Sequence, residues 1–477
     1  MLFNSWGFVF LFLVTSVLYY NVSYRVGVFL LLISSYVFYM YWRWDFAIIM
    51  MAVTLINYYS GIRISRSKEN KVRRAWLFFA LITSLLPLLY FKYANFFVAN
   101  VNEILSVTGS KAKLSYFELI LPVGISFFTF QALSYSLDVF FGRTKVEKDI
   151  VRFGTFVAFF PQLVAGPIER SSNLLLQFKK KNEFSKVYFV EGAKLFIWGL
   201  FKKVVIADRL AIYVDRIYEN PDMYSGPTLI VATLFFAFQI YCDFSGYSDM
   251  AIGTARILGF KLMQNFNLPY FASSISDFWK RWHISLSSWF GDYVYRPLGG
   301  SRVNYPKWFR NILIVFLVSG FWHGANWTFI IWGLLHAFFY FFESWGNLIL
   351  DWAHLGRIKK TIAYRFFKVT SVFIAVCYAW IYFRSNSVSD AFLISAKIFS
   401  NWDAPFFFGS SMVAFVLSVF LILVLFMVQV SQYSGFSSLY FSRSKAGWQL
   451  QFVWYLLLLL GISLFGLSSN SFIYFQF

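Results

Sequence analysis

Charge is scarce in this 477-residue chain, where Asp, Glu, Lys and Arg make up 13% of positions, against roughly 25% in soluble proteins. Without that polar surface, lipid must be the main solvent. Cysteine is scarcer still. Only Cys242 and Cys377 occur, both inside apolar segments, which excludes a disulfide framework and a paired-Cys zinc site. Histidine appears four times, at His283, His323, His336 and His354. No His-Glu-x-x-His, Gly-x-Ser-x-Gly or Walker loop is present, and no Asp-x-Asp pair. Metalloprotease, serine hydrolase and P-loop chemistry therefore have no footing, and neither does a metal-dependent polyprenyl-phosphate glycosyltransferase. No metal site and no permanently bound cofactor are expected. The opening Met1-Leu-Phe-Asn-Ser-Trp-Gly lacks the basic segment of a secretory signal, so the first span is expected to stay in the protein.

What the chain has instead is apolar and aromatic surface: 59% of residues are hydrophobic and 23% aromatic. Runs such as Phe8-Val-Phe-Leu-Phe-Leu-Val14 are apolar on every side, unlike the alternating strands of a β-barrel. Many approach the ~20 residues that a helix needs to cross hydrocarbon. An all-α, polytopic integral membrane protein follows. Spans are expected at about 4–20, 25–42, 45–61, 75–93 and 117–140.

The net charge of +20 has a simple source in loop bias. Arg63, Arg66, Lys68, Lys71, Arg73 and Arg74 form one basic cluster. Arg143, Lys145, Lys148 and Arg152 form a second, and Lys179, Lys180, Lys181 and Lys186 a third. Basic loops stay cytoplasmic, which places the N-terminus outside, along with the loop at about 96–116. The aromatic-basic interleaving of a nucleic-acid module is missing, so nucleic acid is not an expected partner.

Beyond residue 150 the spans are interrupted. Apolar segments at about 153–168, 188–207, 226–243 and 246–260 are broken by Pro161, Pro167, Lys202, Lys203, Asp208, Asp243 and Asp249. From about 261 to 310 the chain is too polar to cross lipid and too aromatic for a free loop, which fits interfacial or re-entrant helices. Strong spans resume at about 311–345, 367–384, 409–430 and 450–468. The expectation is one membrane domain over 1–477 of about 11–13 transmembrane helices. Its core would lie at about 117–345, with peripheral helices in 1–116 and 346–477.

Ionisable groups at membrane depth cost about 2.5–3.5 kcal/mol each even on lenient scales, so their clusters mark sites. His323 sits in Val318-Ser-Gly-Phe-Trp-His-Gly-Ala-Asn-Trp327. On a continuous helix Asn326 and Trp327 share its face, and Gly320 and Gly324 leave room for a chain or backbone to approach. A buried imidazole has its pKa pushed below about 6.5, so it stays neutral and can take a proton from an alcohol. A histidine hydrogen-bonded between helices accounts for the spacing equally well. His283 lies in Asp277-Phe-Trp-Lys-Arg-Trp-His-Ile-Ser285, with Asp277 and Arg281 paired at i, i+4 and an apolar stripe of Phe278, Trp282, Ser285 and Trp289. An interfacial helix with an incidental histidine is the competing explanation. His336, roughly 220° further round a continuous helix from His323, is expected to face elsewhere as a structural residue. His354 is expected to be solvated in the polar loop 351–357. Asp243 and Asp249 do not share a helix face unless Gly246 breaks the turn. They either shape a site or bind a sugar hydroxyl, or serve as polar glue between helices. The segment Pro161-Gln-Leu-Val-Ala-Gly-Pro-Ile-Glu-Arg170 must bend.

Five blocks in order resemble the membrane-bound O-acyltransferase superfamily, and within it the bacterial polysaccharide branch that acetylates alginate. They are Pro122–Gln131, Pro161–Arg170, Tyr241–Met250, Asp277–Ser285 and Ser319–Trp327. The resemblance implies a ring of helices around a central tunnel in a bacterial inner membrane. It places an essential histidine on His323 and a second polar residue on His283, with Arg281, Trp282, Trp322, Asn326, Asp277, Asp243 and Asp249 as candidates for positioning substrate. It implies a cytosolic acyl thioester, acetyl-CoA, as donor and an extracytoplasmic polysaccharide as acceptor. A partner bearing a Ser-His-Asp site often completes the transfer. A D-alanyl transferase for teichoic acids and a lipid-linked sugar flippase or transporter are the rival readings.

Overall fold

The structure is a computed structural model that describes residues 1–352, 358–434, 445–467 and 472. The described residues form helices and irregular segments, and none of them is in a β-strand. His354 lies outside the described residues. Two compact units emerge, 1–196 with 250–263, and 197–249 with 264–477.

The first unit opens with α1 (Trp6–Asn21), α2 (Tyr24–Met40), α3 (Phe46–Arg66) and α4 (Asn70–Val107). These match the first four expected spans, except that α4 runs through Pro87 to Val107 where a loop was expected from about 96. The fifth span begins late, as α5 (Ile125–Phe140). Pro122 interrupts the run, and Gly124 holds φ +73° with its missing Cβ position 2.9 Å from the Leu163 carbonyl oxygen. Only glycine meets both demands without strain. Asn57 of α3 ties three helices together, donating to Ser84 Oγ at 2.8 Å and accepting from Ser136 Oγ at 2.7 Å. This is the side-chain hydrogen bonding that helices use where lipid supplies no hydrophobic drive.

Helix α6 (Ile150–Ala158) stops before the double-proline segment, which bends as expected. Glu169 is fully buried at the end of that bend and accepts from the Met263 N–H and Asn173 Nδ2. Burial pushes its carboxyl up to about 7, against the pull of those hydrogen bonds.

The second unit takes the end of α7 (Lys186–Phe201), a π-helical turn at Lys202–Ala207, α8 (Asp208–Glu219) and α9 (Gly226–Ile257) as far as Asp249. The two segments expected at 226–243 and 246–260 are one helix. Gly246 does not break it, because that position is where the Gly199 carbonyl comes within 2.7 Å of a would-be Cβ. Short helices α10 (Ile275–Arg281) and α11 (Ile284–Phe290) fill the polar-aromatic stretch. The single span expected at 311–345 is a hairpin of α12 (Tyr305–His323) and α13 (Trp327–Trp352). Then come α14 (Ile362–Arg384), α15 (Val388–Ser400), α16 (Met412–Tyr433) and α17 (Lys445–Phe465).

Among the described residues six helices, α3, α4, α9, α14, α16 and α17, are long and apolar enough to cross a bilayer, and α1 and α2 are shorter apolar helices. Their outward side chains, such as Phe78, Phe420 and Leu459, are exposed. Bare apolar surface on this scale belongs to a protein solvated by lipid.

Candidate active site

The α12–α13 hairpin exists because its glycines let two backbones touch. A Cβ on Gly320 would collide with the Phe329 carbonyl oxygen, and one on Gly333 with the Phe316 carbonyl. The Phe329 ring fills the space beside Gly324. The room that glycines were expected to leave near His323 is therefore occupied by α13 itself. Gly320→Val should wedge the helices apart, costing about 1–3 kcal/mol as an overpacking change. Because His323 ends α12, activity should fall along with the melting temperature, which thermal unfolding and an acyl-transfer assay on the same preparation would show.

His323 is the last residue of α12, is 3% exposed, and lies among three rings. Its imidazole centroid is 4.9 Å from Trp322, 5.0 Å from Trp332 and 5.2 Å from Phe383, edge-on to each. The helix ends here, so Asn326 and Trp327 do not share its face. Asn326 instead receives the Thr328 N–H at the start of α13 and donates to the Asn386 carbonyl, and Trp327 is exposed.

His283 occupies the break between α10 and α11 in the left-handed region, φ 44°. The continuous amphipathic helix expected over 277–289 does not form, because Trp282 and His283 leave helical geometry. The Asp277–Arg281 pair does form, at 2.7 Å, and both residues are partly exposed. His283 is 1% exposed, 4.6 Å from the Phe244 ring and 6.0 Å from Trp322. Both imidazoles therefore rest against one indole. Trp282 is buried against Phe266, Phe278 and Trp380.

Asn265, which the sequence reading did not single out, sets the state of His283. Its Oδ1 receives the Ser285 N–H at 3.2 Å and the Ser285 hydroxyl at 2.9 Å, and stands 3.2 Å from His283 Nδ1. An oxygen that already takes a backbone N–H is an acceptor, so His283 carries its proton on Nδ1. Burial pushes the imidazole down to about 3, which keeps it neutral, with Nε2 as an acceptor. In this tautomer His283 suits holding a hydroxyl or an amide N–H. Stabilising an oxyanion would instead require an N–H at Nε2. Asn265→Leu should leave buried donors unmet, costing about 1–3 kcal/mol, and should reduce turnover beyond what lost stability explains. Turnover measured well below the variant's melting temperature separates the two effects.

Asp243 and Asp249 both lie on α9. They meet adjacent lysines of the π-helical turn. Lys203 Nζ is 2.7 Å from both Asp243 and Asp208, and Lys202 Nζ is 2.7 Å from Asp249 and 2.8 Å from Ser245 Oγ. The wider π turn frees the Val204 carbonyl, which accepts the Leu467 N–H at 2.9 Å. The sequence reading treated both lysines as interruptions. Their i, i+1 spacing gave no sign that one turn would serve two carboxylates on a facing helix.

His336 is nearer the site than a continuous helix would place it. The hairpin brings Trp332 of α13 to within 5.0 Å of His323, and His336, one turn further along α13, is 4.9 Å from Trp332. Among the described residues no three His, Cys, Asp or Glu side chains gather as a metal site.

Comparison with known proteins adds the decisive observation. The membrane-bound O-acyltransferase family matches residues 145–385, half of the chain. A "probable alginate O-acetylase" of Azotobacter vinelandii is 42% identical over 406 residues, 84% of this chain and 79% of the relative. This chain belongs to the membrane-bound O-acyltransferase family. Its relatives include a peptidoglycan O-acetyltransferase of Helicobacter pylori, 37% identical over 76% of this chain and 71% of that protein. A teichoic acid D-alanyltransferase of Bacillus subtilis is 30% identical over 56% of this chain and 70% of its own length. The chain is thus a multi-pass membrane acyltransferase, and the flippase reading falls away. The family match contains His283, Asn265, His323, His336 and the lysine–aspartate network together.

Proposed function

We propose that this acyltransferase moves an acetyl group from cytosolic acetyl-CoA towards a hydroxyl of an extracytoplasmic polysaccharide, either directly or through a partner carrying a Ser-His-Asp site. The observation that carries the reading is the pair of buried imidazoles, His323 and His283, set against the shared indole of Trp322. His323, shielded from water by Trp322, Trp332 and Phe383, takes the proton as the acceptor oxygen attacks the thioester carbonyl. The tetrahedral intermediate expels thiolate, which recovers that proton from the imidazolium. His283 orients the incoming hydroxyl through Nε2. No covalent acyl-enzyme is required.

The enzyme sits in a bacterial cytoplasmic membrane with its N-terminus outside, so that the three basic clusters face the cytosol and attract the phosphorylated donor. A tunnel leads from that donor to the outer face. The similarity to alginate and peptidoglycan O-acetylating relatives over three-quarters or more of the chain supports an acetyl group and a sugar hydroxyl. The teichoic acid D-alanyltransferase relatives support a second reading, in which a carrier-protein thioester donates D-alanine.

Mass analysis of ester groups on the surface polysaccharide, with and without this gene, tests the proposal. Loss of acetyl esters is the expected result. Loss of D-alanyl esters with acetyl esters intact supports the second reading and overturns the first.

A further inference from the structure

Trp332 and His336 stand four residues apart on one face of α13, and both are fully buried. Their rings touch, with centroids 4.9 Å apart, and Trp332 is 5.0 Å from His323. Trp279 Nε1 donates to His336 Nδ1 at 3.4 Å. An indole N–H can only donate, so His336 Nδ1 is the acceptor and its proton lies on Nε2. The imidazole also lies near-parallel to the rings of Phe278 and Phe316, within 8° and 16°. Its N–H therefore has one direction. Trp332 is fixed likewise, stacked at 19° on Trp380 and edge-on to Trp279.

Neither the Nε2–H of His336 nor the Nε1–H of Trp332 has a hydrogen-bond partner among the described residues. Phe or Leu at these positions would bury as much surface and strand no donor, so each N–H forfeits a hydrogen bond as it stands. Two rigid, desolvated N–H groups, one of them on the ring that touches His323, are what a developing oxyanion needs.

We propose that Trp332 and His336 form the donor pair that holds the acyl carbonyl oxygen of the thioester. The inference rests on the acyl-transfer reading above. As the acceptor oxygen bonds to the carbonyl carbon, its proton passes to His323 and the C=O π pair moves onto oxygen. The two N–H groups receive that negative charge. Collapse returns the pair, breaks the C–S bond and releases thiolate, which is protonated by the His323 imidazolium. The pair is neutral and lies in a water-excluded setting, so it stabilises charge without competing for the proton.

The test uses the purified full-length enzyme with its acceptor, and acetyl-CoA carrying a ¹³C label at the acetyl carbonyl. Trp332→Phe and His336→Leu should each lower kcat by about 10²–10³-fold with KM for acetyl-CoA little changed. The infrared band of the labelled carbonyl, bound to the unaltered enzyme, should fall below its position in water. Turnover within threefold of the unaltered enzyme in either variant overturns the proposal. So does a rise in KM with kcat intact, which would mean that the pair holds an amide carbonyl of the donor's pantetheine arm. If a variant does not fold, the infrared band on the unaltered enzyme decides, and an unshifted band overturns the assignment. Failure of the unaltered enzyme to turn over acetyl-CoA at all would sink the underlying reading instead.

Discussion

His323→Ala is expected to lower acyl transfer by about 10²–10⁴-fold, the range that a positioned base supplies, while the protein still inserts and folds. The expectation follows from position. The imidazole ends α12 and contacts three aromatic rings. Truncation leaves a cavity in a rigid aromatic wall, costing about 2–4 kcal/mol by analogy with other large-to-small core changes. The hairpin, which is set by the backbone contacts at Gly320 and Gly333, should survive that loss. Membranes carrying the variant at wild-type abundance should therefore acylate acceptor at or near background. Near-normal acylation would remove His323 from the chemistry.

Lys203→Met should have the largest effect on stability. The ammonium bridges Asp208 and Asp243 at 2.7 Å, and all three groups are almost wholly buried. Removing the cation leaves two buried carboxylates facing each other. Breaking a buried pair in this way costs about 3–5 kcal/mol, a large part of the roughly 5–15 kcal/mol that holds a domain together. Replacing all three by apolar residues of similar size should be much milder, because no charge is then left buried. Detergent-solubilised melting curves of the single variant and of the triple Lys203→Met/Asp208→Leu/Asp243→Leu variant would show this. A single variant as stable as the parent would mean that water reaches the network.

The membrane class, the positions of the early helices and the two central histidines were legible in the sequence because each rests on a local signal. Uninterrupted apolar length marks a span, and a histidine inside apolar sequence is costly enough to notice. The legible part ended wherever a break in a helix redirected a side chain. The chain turns at Gly324–Asn326, so the span read as 311–345 is two helices and His336 lies on the second of them. The left-handed turn at His283 likewise cannot be read from a stripe of aromatics. Asn265 carried no signal of its own, since it matters only through where the loop returns. Lys202 and Lys203 were noticed as polar, but their partners, some forty residues away on α9, depend on a π turn and a close approach at Gly246. Long-range polar pairing has no periodicity to betray it.

Release of free CoA by the purified enzyme, followed with and without a hydroxyl acceptor, tests the central claim most directly. The account predicts release that requires acceptor, keeps pace with ester formation and disappears in His323→Ala. CoA release that is unchanged by that substitution, or ester formation from acetyl-CoA that proceeds without it, would contradict the account.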